Sequence, residues 1–177
     1  MASPIGHVVV GIGVAGAVAG GLGTDSTPAL WTGAAVASCL PDLDLLPSLW
    51  GVPYRRVHRR ATHSLLILAP LVGVAWAAVS ALDLSMDWRL MLAWTSALMS
   101  HLVLDILCTG PGLRQGGHGI PLFWPLASRR WCVSRPMFPE VNFLEGVPAG
   151  VIGRACLREL LHLSPAAGVL ILLGHLL

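Results

Sequence analysis

Apolar residues occur in this chain in runs of about twenty, separated by short polar segments. A helix crosses the hydrocarbon core of a bilayer in about 20 residues, so runs of this length predict membrane-spanning helices. Four such crossings are predicted over Ile5–Gly23, Ala29–Leu46, Ser64–Leu82 and Leu90–Cys108. The second is the weakest, because a proline and two aspartates lie near its end.

The C-terminal third is less regular. Residues 109–146 form a long loop region rich in Gly, Pro and Arg, without a helical period. A helical stretch follows over Val147–Leu163, and Ser164–Leu177 is apolar but short for a crossing of its own. Whether that tail crosses, re-enters or lies on the surface stays open.

Composition supports the membrane class. Of 177 residues, 55% are hydrophobic and only 11% are charged, against about 25% charged in soluble domains. We therefore expect one all-α integral membrane domain over residues 1–177, a helical bundle of four to five transmembrane helices. The net charge of +2 indicates no nucleic-acid partner.

Arginine placement sets the expected orientation. All basic residues are Arg, and ten of the eleven lie in the 51–63 loop or after the fourth crossing. These regions are two crossings apart and therefore share a side, which the positive-inside rule places in the cytoplasm. The chain is thus expected to be a multi-pass protein of a bacterial inner membrane.

Seven histidine and aspartate side chains lie near the cytoplasmic ends of these crossings. Ionisable groups in such surroundings are unfavourable and usually functional. They are His7, Asp42, Asp44, His58, His63, His101 and Asp105. Antiparallel helices would bring them to one depth and form a site facing the cytoplasm.

The fourth crossing carries the sharpest local pattern, HLVLD. His101 and Asp105 are four residues apart and therefore share a helix face. Together they can bind one cation, or the aspartate can orient the histidine. The alternative is a His–Asp hydrogen bond that only ties helices together.

The PDLD sequence presents two carboxylates, Asp42 and Asp44. On the extended or turn-like backbone that Pro41 favours, both would point the same way. One would bind metal, while the other bridges a second ion or acts as general base. The alternative is a helix end whose aspartates make turn hydrogen bonds.

The segment HRRATHS combines two imidazoles with two guanidinium groups. His58 and His63 suit zinc or manganese, and Arg59 and Arg60 suit a phosphate. Arginines at a cytoplasmic helix end are equally expected from topology alone. His118, in a Gly-rich loop, fits a ligand or a surface residue equally well.

Taken in order, His7, PDLD (41–44), HRRATHS (58–64), HLVLD (101–105) and GIPLFWP (119–125) resemble the YdjM-like family. Its members are described as bacterial membrane-bound, metal-dependent hydrolases. That family is distantly similar to the all-helical zinc phospholipase C and P1 nuclease group, which cleaves phosphoesters with clustered zinc.

The resemblance implies one or two divalent ions per chain, zinc or alternatively manganese. Metal ligands would be His7, Asp42, Asp44, His63, His101 and Asp105. The catalytic groups would be Asp42, Asp44 and His58, with Arg59 and Arg60 binding the substrate. The expected reaction is hydrolysis of an ester or phosphoester of a lipid-like or amphiphilic substrate by a metal-activated water.

Two other classes remain compatible with these residues. A metal-ion or proton transporter would use the same side chains, but a transport path needs polar groups at several depths, and the outer halves of the crossings are almost wholly apolar. A non-catalytic membrane protein with a structural metal would have identical ligands.

Overall fold

The computed structural model describes residues 2–53, 58–82, 84–111, 119–138 and 147–177, and in these ranges the chain is a bundle of helices. The described residues form five α-helices, which are α1 (Pro4–Gly21), α2 (Pro28–Cys39), α3 (Leu65–Ala81), α4 (Trp88–Leu107) and α5 (Ala149–Leu176). Two 3₁₀ helices, Leu40–Trp50 and Ala61–His63, lie between α2 and α3. The all-α membrane bundle expected from the sequence is confirmed.

Three helix starts follow from local sequence. Ser3 and Thr27 cap α1 and α2 through their hydroxyl groups, and Pro4 and Pro28 occupy the first helical positions. Asp87 caps α4 with its carboxylate. Capping oxygens satisfy backbone N–H groups that lack a partner within the helix, and proline is preorganised for the first turn.

The helices α1, α4 and α5 are long and apolar enough to cross a membrane, and α3 is a shorter apolar helix. The core between α1, α2 and α4 is built from small residues, among them Ala15, Ala34 and Ala97. Small side chains let helix backbones approach closely. The outward faces of α3 and of the second half of α5, residues 164–176, are mainly apolar and exposed, as lipid contact requires.

The second crossing ends earlier than expected. Its α-helix stops at Cys39, and the chain tightens into the long 3₁₀ helix Leu40–Trp50. Pro41 lacks an N–H group and its ring would clash with the preceding turn of an α-helix. Of the two backbones expected for PDLD, extended or turn-like, the structure has the turn-like one. Successive residues of a 3₁₀ helix turn by about 120°, so Asp42 and Asp44 leave the helix in different directions. Both still reach His63, Asp42 at Nε2 and Asp44 at Nδ1.

The C-terminal tail belongs to α5. This helix runs unbroken through Pro165 for 28 residues, a length of roughly 42 Å at 1.5 Å per residue. The sequence separated Val147–Leu163 from the tail, but the structure joins the two. Residues 164–176 thus form the second half of one helix.

Helices α1 and α5 pack in parallel through small residues. A Cβ atom added to Gly13 would lie 2.7 Å from the Cα of Ala167, and one added to Gly20 would lie 2.8 Å from the carbonyl carbon of Gly174. Only glycine allows this approach. Because the numbering of both helices rises together, the start of α1 lies beside the middle of α5.

Candidate metal centre

Four chain segments meet at one end of the bundle. They are the start of α1, the junction of α2 with the long 3₁₀ helix, the 58–63 segment and the end of α4. The rings of His7 and His101 stack with centroids 3.6 Å apart, and the Nε2 atoms of His63 and His101 are 3.2 Å apart. Asp105 Oδ2 lies 3.4 Å from His63 Nε2.

The cluster contains three overlapping groups of potential ligands. Within each group the ligand atoms lie within 4.8 Å of one another. The groups are His7, Asp42 and His101; Asp42, His58 and His63; and His63, His101 and Asp105. Three of these residues belong to two groups each, so neighbouring ions would share ligands.

Several atoms of the cluster are buried without a hydrogen bond. Both ring nitrogens of His7, both carboxylate oxygens of Asp42 and Oδ2 of Asp105 find no hydrogen-bond partner in the described part of the chain. Burying polar atoms in this state is unfavourable. A cation would satisfy them, and imidazole nitrogen with carboxylate oxygen is a donor set for zinc or manganese.

Hydrogen bonds behind two imidazoles orient them. His101 Nδ1 lies 2.7 Å from the carbonyl oxygen of Ser38, and His58 Nδ1 lies 2.9 Å from Asp44 Oδ1. Both partners can only accept, so the Nδ1 atoms donate and the neutral rings carry their lone pair on Nε2. Histidine ligands are typically oriented in this way.

Asp44 lies behind the cluster rather than in it. Besides His58, its carboxylate accepts hydrogen bonds from the backbone N–H of Arg59 at 3.0 Å and the hydroxyl of Thr62 at 2.6 Å. Burial would raise the pKa of Asp44, but hydrogen bonds from His58 and His63 outweigh it and lower that pKa. The sequence suggested the same roles for Asp42 and Asp44, but of these two residues only Asp42 belongs to the ligand groups, two of which contain it.

His63 is surrounded by carboxylates. Burial opposes its protonation, but Asp42, Asp44 and Asp105 outweigh this effect and raise the pKa of His63 to about 9. Without a metal, the His63 ring is therefore doubly protonated and positively charged at neutral pH. A cation at Nε2 would take the place of the proton there.

The two arginines have different positions. Arg59 is buried, and its Nη2 donates to Asp105 Oδ1 at 3.2 Å. Its φ of 57° lies in the left-handed region, which is unfavourable for a side chain of this size and often marks functional sites. Arg60 is exposed. The sequence predicted that both bind the substrate, but of the two only Arg59 points into the cluster.

The GIPLFWP segment supports the site from outside. The Ser64 hydroxyl donates to the carbonyl oxygens of Leu122, at 3.2 Å, and Trp124, at 2.6 Å. The backbone N–H of Leu65 also donates to Leu122. These bonds fix the start of α3 directly after His63. His118 lies outside the described residues.

Sequence reasoning missed one buried acid, Glu159 of α5. Its Oε2 accepts hydrogen bonds from the backbone N–H of Ser3 at 2.8 Å and from the Ser3 hydroxyl at 2.5 Å. The same hydroxyl caps α1 by accepting from Gly6. Glu159 thus anchors α1 one turn before His7. A lone acid within an apolar helix was the signal that could have revealed it.

Comparison with known proteins identifies the family. The model of the YdjM inner membrane protein family matches residues 1–176. The inner membrane protein YbcI of Escherichia coli (strain K12) is 32% identical over 122 residues, which cover 63% of this chain and 64% of that protein. The match thus spans less than two thirds of the length of this relative.

No solved structure matches the chain, and the wider similarity to zinc phospholipase C and P1 nuclease stays a prediction. The family match covers nearly all of the chain and the relative carries the same inner-membrane description. The chain belongs to the YdjM inner membrane protein family.

Proposed function

We propose that this protein is a membrane-bound, metal-dependent hydrolase that cleaves an ester or phosphoester of an amphiphilic substrate. One or two divalent ions, zinc or alternatively manganese, would be held by His7, Asp42, His63, His101 and Asp105. The observation that carries the proposal is the set of overlapping ligand groups. Within the described residues, both ring nitrogens of His7, both carboxylate oxygens of Asp42 and Oδ2 of Asp105 are buried there without a hydrogen bond.

Each group near the proposed ions has a chemical role. A bound divalent ion would lower the pKa of a water molecule to about 7 and so supply the nucleophile. Asp42, whose side chain is 11% exposed, would accept the proton of that water. His58, oriented by Asp44, would act as the second acid or base at Nε2.

The arginines would handle negative charge. Arg59, held on Asp105, would offset charge that develops on the substrate in the transition state. Arg60, exposed beside it, would bind a substrate phosphate from the solvent side. The Arg-rich surroundings support a cytoplasmic orientation of this end of the bundle.

Transport is less well supported. The buried polar side chains of the described helices, such as Ser38, Ser100 and Glu159, lie at the same end as the histidines. A transport path would need such groups at several depths. A site at one end of the bundle favours an enzyme over a transporter. A measurement of activity distinguishes an enzyme from a non-catalytic protein with a structural metal.

The test combines metal content with turnover. Protein purified in detergent without chelator is expected to contain zinc or manganese and to hydrolyse bis(p-nitrophenyl) phosphate or a phospholipid panel. Asp42→Asn should bind metal more weakly and should lack turnover even when zinc is supplied at saturating concentration, and His101→Ala should lose both metal and turnover. Asp25→Asn, at an exposed carboxylate, is the matched control. Metal-loaded wild-type protein without turnover on the whole panel would contradict the hydrolase and favour a structural metal.

A further inference from the structure

The long 3₁₀ helix carries an apolar row that no described element covers. Leu40, Leu43, Leu46 and Leu49 are 41%, 53%, 47% and 71% exposed. Side chains three residues apart eclipse one another in a 3₁₀ helix. The four leucines therefore form a single straight row, which we call the leucine row.

The opposite side of this helix faces the metal centre. Pro41 is buried, and Asp42 and Asp44 are turned toward the histidines. At the end of the helix Trp50 is 77% exposed, and Gly51, with φ of 82°, ends the helix. Tryptophan is enriched where a bilayer meets water. The helix is thus amphipathic, with ligands on one side and leucines on the other.

The leucine row continues the lipid-facing surface of the bundle. It begins where α2 ends, next to Val36, which is 62% exposed. Leu65 and Leu66 at the start of α3 are also exposed, at 38% and 36%. Within the described helix Leu40–Trp50, the row itself contains no charged residue. In water such a contiguous apolar patch would promote association, whereas in a membrane protein it matches acyl chains.

We propose that the helix Leu40–Trp50 lies in the interface between lipid headgroups and acyl chains. The leucine row faces the acyl chains, Trp50 lies at headgroup depth, and Asp42 faces the metal centre. Amphipathic helices occupy this region with their apolar side buried by about 5–10 Å. The occupant of the leucine row is therefore the bilayer, and the proposal does not depend on the reaction catalysed.

Spin labels test which medium surrounds the leucine row. Leu46→Cys and the matched control Ser48→Cys, which is on a different side of the helix, are labelled after the native cysteines are replaced by alanine. In liposomes of phosphatidylethanolamine and phosphatidylglycerol, the label at position 46 is expected to collide severalfold more with oxygen than with a water-soluble nickel chelate. The label at position 48 should lack this excess.

Two results at position 46 would overturn the proposal. Free access of the nickel chelate would place the leucine row in water. Protection from both reagents would mean that protein covers the row, from a second copy or from a partner.

A second measurement keeps the native cysteines. Fluorescence of the wild type minus that of Trp50→Phe gives the emission of Trp50 alone. Bromines placed on the acyl chain near the headgroup should quench this emission more strongly than bromines near the chain end. The reverse order would place the helix across the bilayer, and no quenching would place it in water; both contradict the proposal.

Discussion

Replacing Asp44 by asparagine separates its role from that of Asp42. The asparagine side chain would keep an oxygen for the N–H of Arg59 and the hydroxyl of Thr62, but its amide group would face the N–H of His58. Two donors then oppose each other at a contact that is now 2.9 Å long. His58 would lose the bond that presents its Nε2 to the cluster.

The expected loss of metal affinity is that caused by removing a residue that hydrogen-bonds to a metal ligand. Removing such a partner weakens metal binding about 10–100-fold, or about 1.4–2.8 kcal/mol. Asp42→Asn should weaken it further, because Asp42 belongs to two of the ligand groups. The expected order of zinc affinity is wild type and Asp25→Asn, then Asp44→Asn, then Asp42→Asn.

Competition with a chromophoric zinc chelator measures these affinities on detergent-purified protein. Thermal unfolding of the metal-free variants serves as the control for a general loss of fold. Wild-type affinity in Asp44→Asn would refute the orienting role of its carboxylate. A loss equal to that of Asp42→Asn would show that Asp44 binds the ion directly.

Three further predictions concern protons, packing and topology. A metal ion at His63 must displace the proton that this ring holds below pH about 9. Zinc affinity should therefore rise close to tenfold per pH unit from pH 6.5 and level off near pH 9, and calorimetry in buffers of different ionisation enthalpy should detect one proton released. A pH-independent affinity would contradict this. Glu159→Ala leaves the backbone N–H and the hydroxyl of Ser3 without their acceptor. This change should destabilise the protein by about 1–3 kcal/mol and weaken metal binding, and Glu159→Gln should recover part of both. An unchanged melting temperature and metal content would contradict the role of Glu159 as an anchor of α1. Reporters fused after Leu82 and Leu177 should be periplasmic and one after Cys108 cytoplasmic, and the opposite pattern would reverse the orientation.

Hydropathy predicted the helices but not the place where the second crossing ends. The apolar run continues past Cys39, so composition alone extended the helix to Leu46. The ring of Pro41 instead ends the α-helix, and the 3₁₀ geometry that follows separates Asp42 from Asp44. Pro41 could indicate the end of the α-helix, but no local pattern shows that the chain continues as a 3₁₀ helix packed against Ala61–His63.

The residues of the candidate site were predictable as a set, since topology alone placed them at one end of the bundle. Their roles were not. The exclusion of Asp44 from the ligand groups and the inward turn of Arg59 depend on single hydrogen bonds. The Glu159–Ser3 contact joins residues 156 positions apart, and no local pattern records such a pairing.

That long-range contact determines when the site can form during synthesis. Helix α1 emerges from the ribosome before α5, yet the acid that anchors the start of α1 lies in α5. Contacts of such sequence separation form late, because a long loop must close first. The start of α1, which carries His7, therefore gains its final support only after α5 has inserted, so the complete cluster of histidines and aspartates forms late in biogenesis rather than early.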